Sequence, residues 1–276
     1  MPELPEVEVI CRGLRPHLVG RIVTGLLTSG KILREEIPVE RLRQEMVDRR
    51  IISVTRRAKF LQIGLESGAV VIIHLGMTGN LGFFSPAMPP AKHDHVRWLL
   101  DNGLELRYND TRRFGSIRVL SQKEVPRIEE TVYQTTGPEP FVDDFSAEYL
   151  HRLAKGREVA VKVFIMTNQV VAGVGNIYAN ESLFRAGIRP DRKVSSISRK
   201  EWARLITAIR EVLSQAIECG GSTISDFVNA GREKGYFQIN FKVYGRSGMA
   251  CAACGATIAK KTIGGRASYS CPKCQS

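Results

Sequence analysis

"IISVTRRAKFLQIGLESGAVVIIHLGMTGNLGFF", residues 51–84, is the stretch on which the fold turns. Its β-branched and aromatic residues partly alternate with polar ones, and Ser67-Gly68 sits between two such runs as a hairpin connection. The pattern returns in "HVRWLLDNGLELRYNDTRRFGSIRVL" (95–120), with Asn102-Gly103 at the break. Antiparallel strands packed as a sandwich or barrel are therefore expected across roughly the first 120 residues.

Working outward, Val7, Ile10, Leu14 and Leu18 recur at helical spacing behind Pro5, which predicts a short helix ahead of the strands. On the other side, "TVYQTTGPEPFVDD" (131–144) holds two prolines and a glycine and loses periodicity, so a linker is expected. Beyond it the signal turns helical in "SAEYLHRLAK" and "IYANESLFRAGI". A long helix follows, opened by the capping box Ser198-x-x-Glu201, apolar at Trp202, Leu205, Ile206, Ile209, Leu213 and Ile217, and closed by Gly220-Gly221. The expected fold is α+β and multidomain. Residues 1–130 form a β-sandwich domain with flanking helices, 131–144 a linker, 145–225 a helical domain, and 226–276 a polar loop followed by a cysteine-rich segment.

The chain has 276 residues, 43% of them hydrophobic, enough for substantial cores. Forty Lys and Arg against 28 Asp and Glu give a net charge of +12, which favours a polyanionic partner, either nucleic acid or an anionic membrane surface. From Gly231 to Ser276 eight basic residues face one acid, so the positive charge is concentrated at the C-terminal end. No basic segment with a long apolar run opens the chain, and no apolar run approaches the ~20 residues that span a bilayer, so a cytosolic location is expected.

Four of the six cysteines fall as Cys251-x-x-Cys254 and Cys271-x-x-Cys274, sixteen residues apart. In a cytosolic chain this spacing reads as a four-thiolate Zn2+ site, which is closed and therefore structural. Arg266, in "IGGRASY" between the pairs, is either a guanidinium held against phosphate by a braced hairpin or a solvated side chain. "VAGVGNIYANE" (171–181) places Gly173 and Gly175 before Asn176, as a phosphate-receiving helix start or a plain helix connection. "HLGMTG" (74–79) and "DTRRFG" (110–115) put Met77, Arg112, Arg113 and Phe114 on turns. Such residues suit a wedge between base pairs, and by pattern alone they are more often core. His74, His93 and His95 have satisfied structural roles as their default.

The opening "PELPEVE" (2–8) also has two readings. Pro2 and Glu3 suit a helix entrance. With Met1 removed, Pro2 also offers a secondary amine whose pKa lies near ~8, against ~10.4 for lysine, so more of it is neutral and nucleophilic near pH 7. After attack on a sugar carbon such an amine yields an iminium cation directly, with Glu3 beside it to move protons and Glu6 in support one helical turn away.

Taken together, "MPELPEVE", "RRAKFL", "HLGMTG", "KHDHV", "DTRRFG", "GVGNIYANESLFRAGIRP", "VYGR" and the four cysteines resemble the bacterial formamidopyrimidine-DNA glycosylases, also called 8-oxoguanine DNA glycosylases, over essentially the whole length. The resemblance implies an N-terminal β-sandwich, a helix-two-turn-helix domain and a C-terminal zinc ribbon, with DNA gripped across the cleft between domains. It implies a base-excision repair enzyme, a glycosylase and abasic-site lyase acting as a monomer on double-stranded DNA with oxidised purines. In it Pro2 is the nucleophile at C1′ and the Schiff-base residue, and Glu3 its acid. Lys59 is the proton donor in β-elimination, and Arg266 is tied to δ-elimination and phosphate binding. Met77, Arg112 and Phe114 are the inserting side chains, Arg112 facing the orphaned cytosine. His93 and Asn176 contact DNA, and "GGSTISDFVNAGREKGYF" (220–237) closes over the extruded base.

Three departures from the family pattern stand out: Thr167 in place of an aspartate, Glu158 in an often basic stretch, and the pair Met249-Ala250 before Cys251. The first two bear on local phosphate contacts and helix packing, the third on finger flexibility alone. Two other readings are an endonuclease VIII-like glycosylase for oxidised pyrimidines and a non-catalytic zinc-ribbon DNA-binding protein. The first is disfavoured by Leu4 in "PELPE" and by the Arg112/Phe114 pair, and the second leaves Pro2, Glu3 and Lys59 without a role.

Overall fold

The computed structural model describes residues 2–221 and 241–276. They fall into two compact units. One runs to Gln134 and takes in Gly220 and Gly221, and the other comprises Thr135–Cys219 and the described residues from Phe241 onward. The break lies inside the proline-containing stretch 131–144.

The first unit opens with α1 (Leu4–Leu18), and the apolar stripe Val7, Ile10, Leu14, Leu18 that the spacing selects is wholly buried. Pro5 occupies the first turn, where its missing N–H has no intrahelical partner to lose. There follow β1 (Ile22–Thr28), α2 (Val39–Met46), β2 (Arg49–Arg57), β3 (Phe60–Leu65), β4 (Val70–His74), β5 (Asn80–Phe84), β6 (Asp94–Leu100), β7 (Glu105–Asn109), β8 (Ser116–Leu120) and the one-turn α3 (Ile128–Thr131). The strands pair antiparallel in the order β5-β7-β6-β1-β2-β3-β4-β8. Only two residue pairs, Ile22–Arg50 and Val23–Arg49, join β1 to β2. At that seam the ladder turns from one layer of a sandwich, β5-β7-β6-β1, into the other, β2-β3-β4-β8.

One core fills the sandwich, with Trp98, Val96 and Leu106 from one layer, Leu61, Ile63 and Ile73 from the other, and the α1 stripe. Each such side chain contributes about 1.5–3 kcal/mol on burial. The hairpin turns at Ser67-Gly68 and Asn102-Gly103 stand where the sequence places them.

In the second unit, α4 (Ala147–Ala154) is capped by Ser146, whose hydroxyl accepts from the Tyr149 N–H. It is followed by α5 (Val161–Ile165), α6 (Asn176–Ala186) and α7 (Arg199–Glu218). The Ser198/Glu201 capping box forms as read. Ile217, read as part of the α7 stripe, is only half-buried, and Ala216 takes the inward place because it continues the row of Ala208, Ile209, Val212 and Leu213. Phe164 packs on Trp202 with ring centroids 5.8 Å apart. A hairpin of β9 (Ala259–Ile263) and β10 (Arg266–Ser270) completes the unit. Among the described residues no helix is long and apolar enough to cross a membrane.

Candidate active site and nucleic-acid interface

The head of α1 gathers three of the expected residues. Pro2 is buried, and Glu3 and Glu6 are 3% and 0% exposed. Glu3 is the N-cap, and its backbone N–H donates to Glu6 Oε2 at 2.8 Å within a capping box. Both carboxylates thus lie at the positive end of a fifteen-residue helix, and Glu6 fixes the backbone that carries Pro2 and Glu3.

Lys59 is the second residue of the two-residue turn between β2 and β3. The first, Ala58, is buried with φ +54°, a left-handed backbone that the tight turn imposes. Arg56 holds this turn to α1: one guanidinium nitrogen donates to the Ala58 carbonyl at 2.9 Å, and Nε donates to Glu8 at 3.0 Å. Burial pushes the Glu8 carboxyl up, but hydrogen bonds from Arg12 and Arg56 outweigh it and leave the group below its ordinary value. Lys59 is half-buried. Together with burial, first, and Arg34, its charge pushes the His74 imidazole down to about 4, so His74 is neutral near pH 7. His74 Nδ1 accepts from the Gly76 N–H at 3.1 Å, a satisfied structural histidine at the start of the Met77 loop.

Met77, Arg112 and Phe114 come together on two abutting loops. Met77 and Phe114 are 37% and 45% exposed, and the Arg112 guanidinium lies 4.7 Å from the centroid of the Phe114 ring. Gly76 permits the approach: a Cβ there would lie 2.4 Å from backbone atoms of Phe114 and Gly115. Gly115 does the same on the other side, where a Cβ would meet the Tyr108 hydroxyl at 1.8 Å. The loops are bound through the buried carboxylate of Asp110, which accepts from Thr78 Oγ1 and from the Gly115 N–H at 2.9 Å.

His93 is half-buried just before β6, and its carbonyl accepts from the Asp110 N–H at 3.1 Å. The loop before it is shaped by Arg107, a buried guanidinium that donates to the carbonyls of Ser85, Met88 and Pro89 and pairs with Glu105 and Asp94. His95, also buried, donates from Nε2 to the Asp110 carbonyl at 3.0 Å, since that oxygen can only accept.

The second unit places the remaining candidates. Asn176 is the first residue of α6, and its Oδ1 is buried with no hydrogen-bond partner among the described residues. Arg266 is exposed on the first residue of β10, after the Gly264-Gly265 turn. Its hairpin is fastened to the helices by two buried side chains. Lys162 Nζ donates to the Ala267 carbonyl at 2.9 Å and to Ser268 Oγ at 2.7 Å, and the Tyr269 N–H donates to Asn180 Oδ1 at 2.7 Å. Glu181 accepts the backbone N–H groups of Lys242, Val243 and Tyr244; burial nonetheless pushes its carboxyl above the ordinary value.

The thiols of Cys251, Cys254, Cys271 and Cys274 all lie within 4.8 Å of one another. Two of the sulfur pairs are 3.9 and 3.4 Å apart, close to the ~3.8 Å expected around a tetrahedral zinc with Zn–S bonds of ~2.3 Å. Four thiolates fit that ion and leave no position for water. Buried Gln275 ties the second pair to the segment that follows α6, accepting from the Cys271 N–H and donating to the Ile188 carbonyl, both at 2.8 Å.

The three departures are locally satisfied. Thr167 donates to the Val163 carbonyl, Glu158 pairs with Lys193 and accepts from Ser195, and the Met249 backbone keeps its bonds to Arg246 and Ile258. The proposed base-covering loop, 220–237, lies outside the described residues from Ser222 on. Asp110, Arg107, Lys162, Asn180 and Glu181 carry no spacing or motif that marks them in the sequence. The one available signal was an acid directly ahead of "TRRFG".

Three family descriptions match the chain in succession: "Formamidopyrimidine-DNA glycosylase N-terminal domain" over residues 1–117, "Formamidopyrimidine-DNA glycosylase H2TH domain" over 136–228, and "Zinc finger found in FPG and IleRS" over 249–276. A formamidopyrimidine-DNA glycosylase of Stutzerimonas stutzeri is 48% identical, and one of Magnetococcus marinus 44%, with 99–100% of each chain covered. Among solved structures, the chain is similar to a Lactococcus lactis FPG mutant in complex with Fapy-dG-containing DNA, with TM-score 0.91, 31% identity and 99% of both chains covered. It is also similar to MutM in complex with DNA containing carbocyclic 8-oxo-G, with TM-score 0.89, 30% identity and 99% of both covered. By these full-length matches, the chain belongs to the formamidopyrimidine-DNA glycosylase family.

Proposed function

We propose that this chain repairs DNA in the bacterial cytoplasm, as a monomer that turns an oxidised purine out of the duplex, excises it and cuts the abasic strand. The substrates are 8-oxoguanine opposite cytosine and formamidopyrimidines. The observation that carries the reading is the head of α1 in a chain of this family: Pro2 directly precedes a buried pair of carboxylates on a helix N-terminus.

Once Met1 is removed, the Pro2 nitrogen attacks C1′ as the bond to the damaged base breaks; the base leaves with the bonding pair and takes up the proton that the Pro2 nitrogen gives up, which restores the nitrogen's lone pair. The C1′–O4′ bond then opens, O4′ receives a proton from Glu3, and the nitrogen's lone pair completes an iminium cation. Loss of the C2′ proton expels the 3′ phosphate, with Lys59 handling protons, and a second elimination expels the 5′ phosphate, with Arg266 as its phosphate ligand. Met77, Arg112 and Phe114 fill the space left by the extruded nucleotide, offsetting an unstacking cost of a few kcal/mol. His93 and Asn176 hold the DNA backbone. The four cysteines hold one structural zinc, whose part is to stiffen the hairpin that carries Arg266.

Borohydride trapping on a duplex with 8-oxoguanine opposite cytosine tests this, beside an undamaged duplex and an intact-mass reading. The expected result is a covalent adduct on damaged DNA alone from protein lacking Met1, abolished in Pro2→Gly. No adduct from protein lacking Met1 would sink the assignment.

A further inference from the structure

We propose that Asp110 is the positioning residue of the DNA wedge. Its carboxylate makes one rigid insert of the Met77 loop and the Arg112–Phe114 loop, and so governs capture of the lesion within a duplex rather than the reaction at Pro2. This deepens the reading above and rests on Met77, Arg112 and Phe114 being the inserting side chains.

The bonding of Asp110 is complete. The residue is 0% exposed. Oδ1 accepts from Thr78 Oγ1, one residue from Met77, and at 3.3 Å from the N–H of Arg112. Oδ2 accepts from the N–H of Gly115, one residue from Phe114, at 2.9 Å, and from the Tyr108 hydroxyl at 3.3 Å. Thr78 Oγ1 also accepts the Arg112 N–H at 3.0 Å, closing a ring of bonds between the two loops. The backbone of Asp110 is held as well: its N–H donates to the His93 carbonyl, and its carbonyl accepts from His95 Nε2 and from the Arg113 N–H. Arg113 turns the chain at φ +56°, a strained bend that persists only where its neighbours fix it.

A carboxylate suits this place because its two oxygens only need to accept and every group facing them is a donor. An amide in its place would turn an NH2 toward backbone N–H groups. Both loops would then lose their common anchor while the sandwich core beneath them, built from other residues, stays filled. A wedge held loosely must be ordered during base extrusion, so the loss falls on substrates that have a base stack to fill.

The test compares Asp110→Asn and Thr78→Val with the unaltered chain on two substrates. One is cleavage of an 8-oxoguanine:cytosine duplex under single-turnover, subsaturating conditions; the other is borohydride trapping on a single-stranded abasic oligonucleotide, which has no opposing strand to pack against. The ratio of the first rate to the second is expected to fall about ten-fold or more in Asp110→Asn and by a smaller factor in Thr78→Val. Fluorescence of 2-aminopurine beside the lesion should report less unstacking in both. A ratio that stays within about two-fold, whether both rates fall together or neither falls, overturns the proposal. A Met77→Ala/Arg112→Ala/Phe114→Ala variant that cleaves the duplex at the unaltered rate overturns it through the wedge itself. An unaltered protein that traps on neither substrate refutes the enzymatic reading instead.

Discussion

Replacing Lys162 by methionine tests how the structure aims Arg266. The lysine is fully buried and donates to the Ala267 carbonyl and to Ser268 Oγ, partners next to and two residues beyond Arg266. Methionine keeps the stem's packing and removes the ammonium. A hydrogen bond to a charged group is worth about 1.5–3 kcal/mol, but losing the charge also removes the cost of burying it. Two such bonds amount to about 3–6 kcal/mol, and with roughly half offset by the relieved burial cost the hairpin is loosened by about 2 kcal/mol. At ~1.4 kcal/mol per ten-fold, this lowers protection of the β9–β10 amides against hydrogen exchange roughly 30-fold, provided they exchange by local opening. The same variant should shift strand cleavage from δ- toward β-elimination products, because Arg266 is carried by the loosened strand. Hydrogen exchange read by mass spectrometry and electrophoresis of the 3′ ends supply the two measurements. Amide protection within two-fold of the unaltered chain, with the product ratio unchanged, would refute the reasoning.

Cys254→Ser should lower bound zinc below one per chain and weaken DNA binding, as metal analysis and a binding titration would report, because a four-thiolate site is closed by its full set of ligands. Glu201, bonded chiefly by Arg192, has its carboxyl held down to about 2 against an ordinary 4.5. Its folded value lies below the unfolded one, so its stabilisation is complete above the ordinary carboxylate range and drains away as pH falls toward 2. Glu201→Gln should flatten that acid limb in a plot of Tm against pH. His74 is pushed down to about 4 by burial first and by Lys59 and Arg34 next. Its contribution is complete above about 6.5 and lost between there and 4, and His74→Gln should remove that slope from the same plot.

What the sequence reveals here is what is written in short-range spacing. The α1 stripe, the Ser198/Glu201 box and the paired cysteines need only neighbours within a turn or a knuckle, and each can be read from the chain. β1 escaped because Gly25 interrupts its alternation at a bulge, where the Leu99 side chain takes the room of a Cβ. α2 escaped because it buries only Leu42 and Met46, and α5 because it has five residues. The positioning residues are hidden for another reason. Lys162 reads as a solvated helix lysine until partners 105 and 106 residues away enclose it, and Asp110 reads as a turn residue until Thr78, 32 residues back, turns toward it. A buried polar group is defined by its partners, and those are set by tertiary structure.

The close approach at Gly76 makes the Met77 loop and the Arg112–Phe114 loop a single heritable part. Because no methyl group fits between Gly76 and the Phe114–Gly115 backbone, a chimera that imports either loop alone from a relative would set one backbone against a mismatched other. A library meant to retune which opposite base is tolerated should therefore vary Met77, Arg112 and Phe114 jointly while keeping both glycines. Substitutions recovered in one loop should then come with companions in the other.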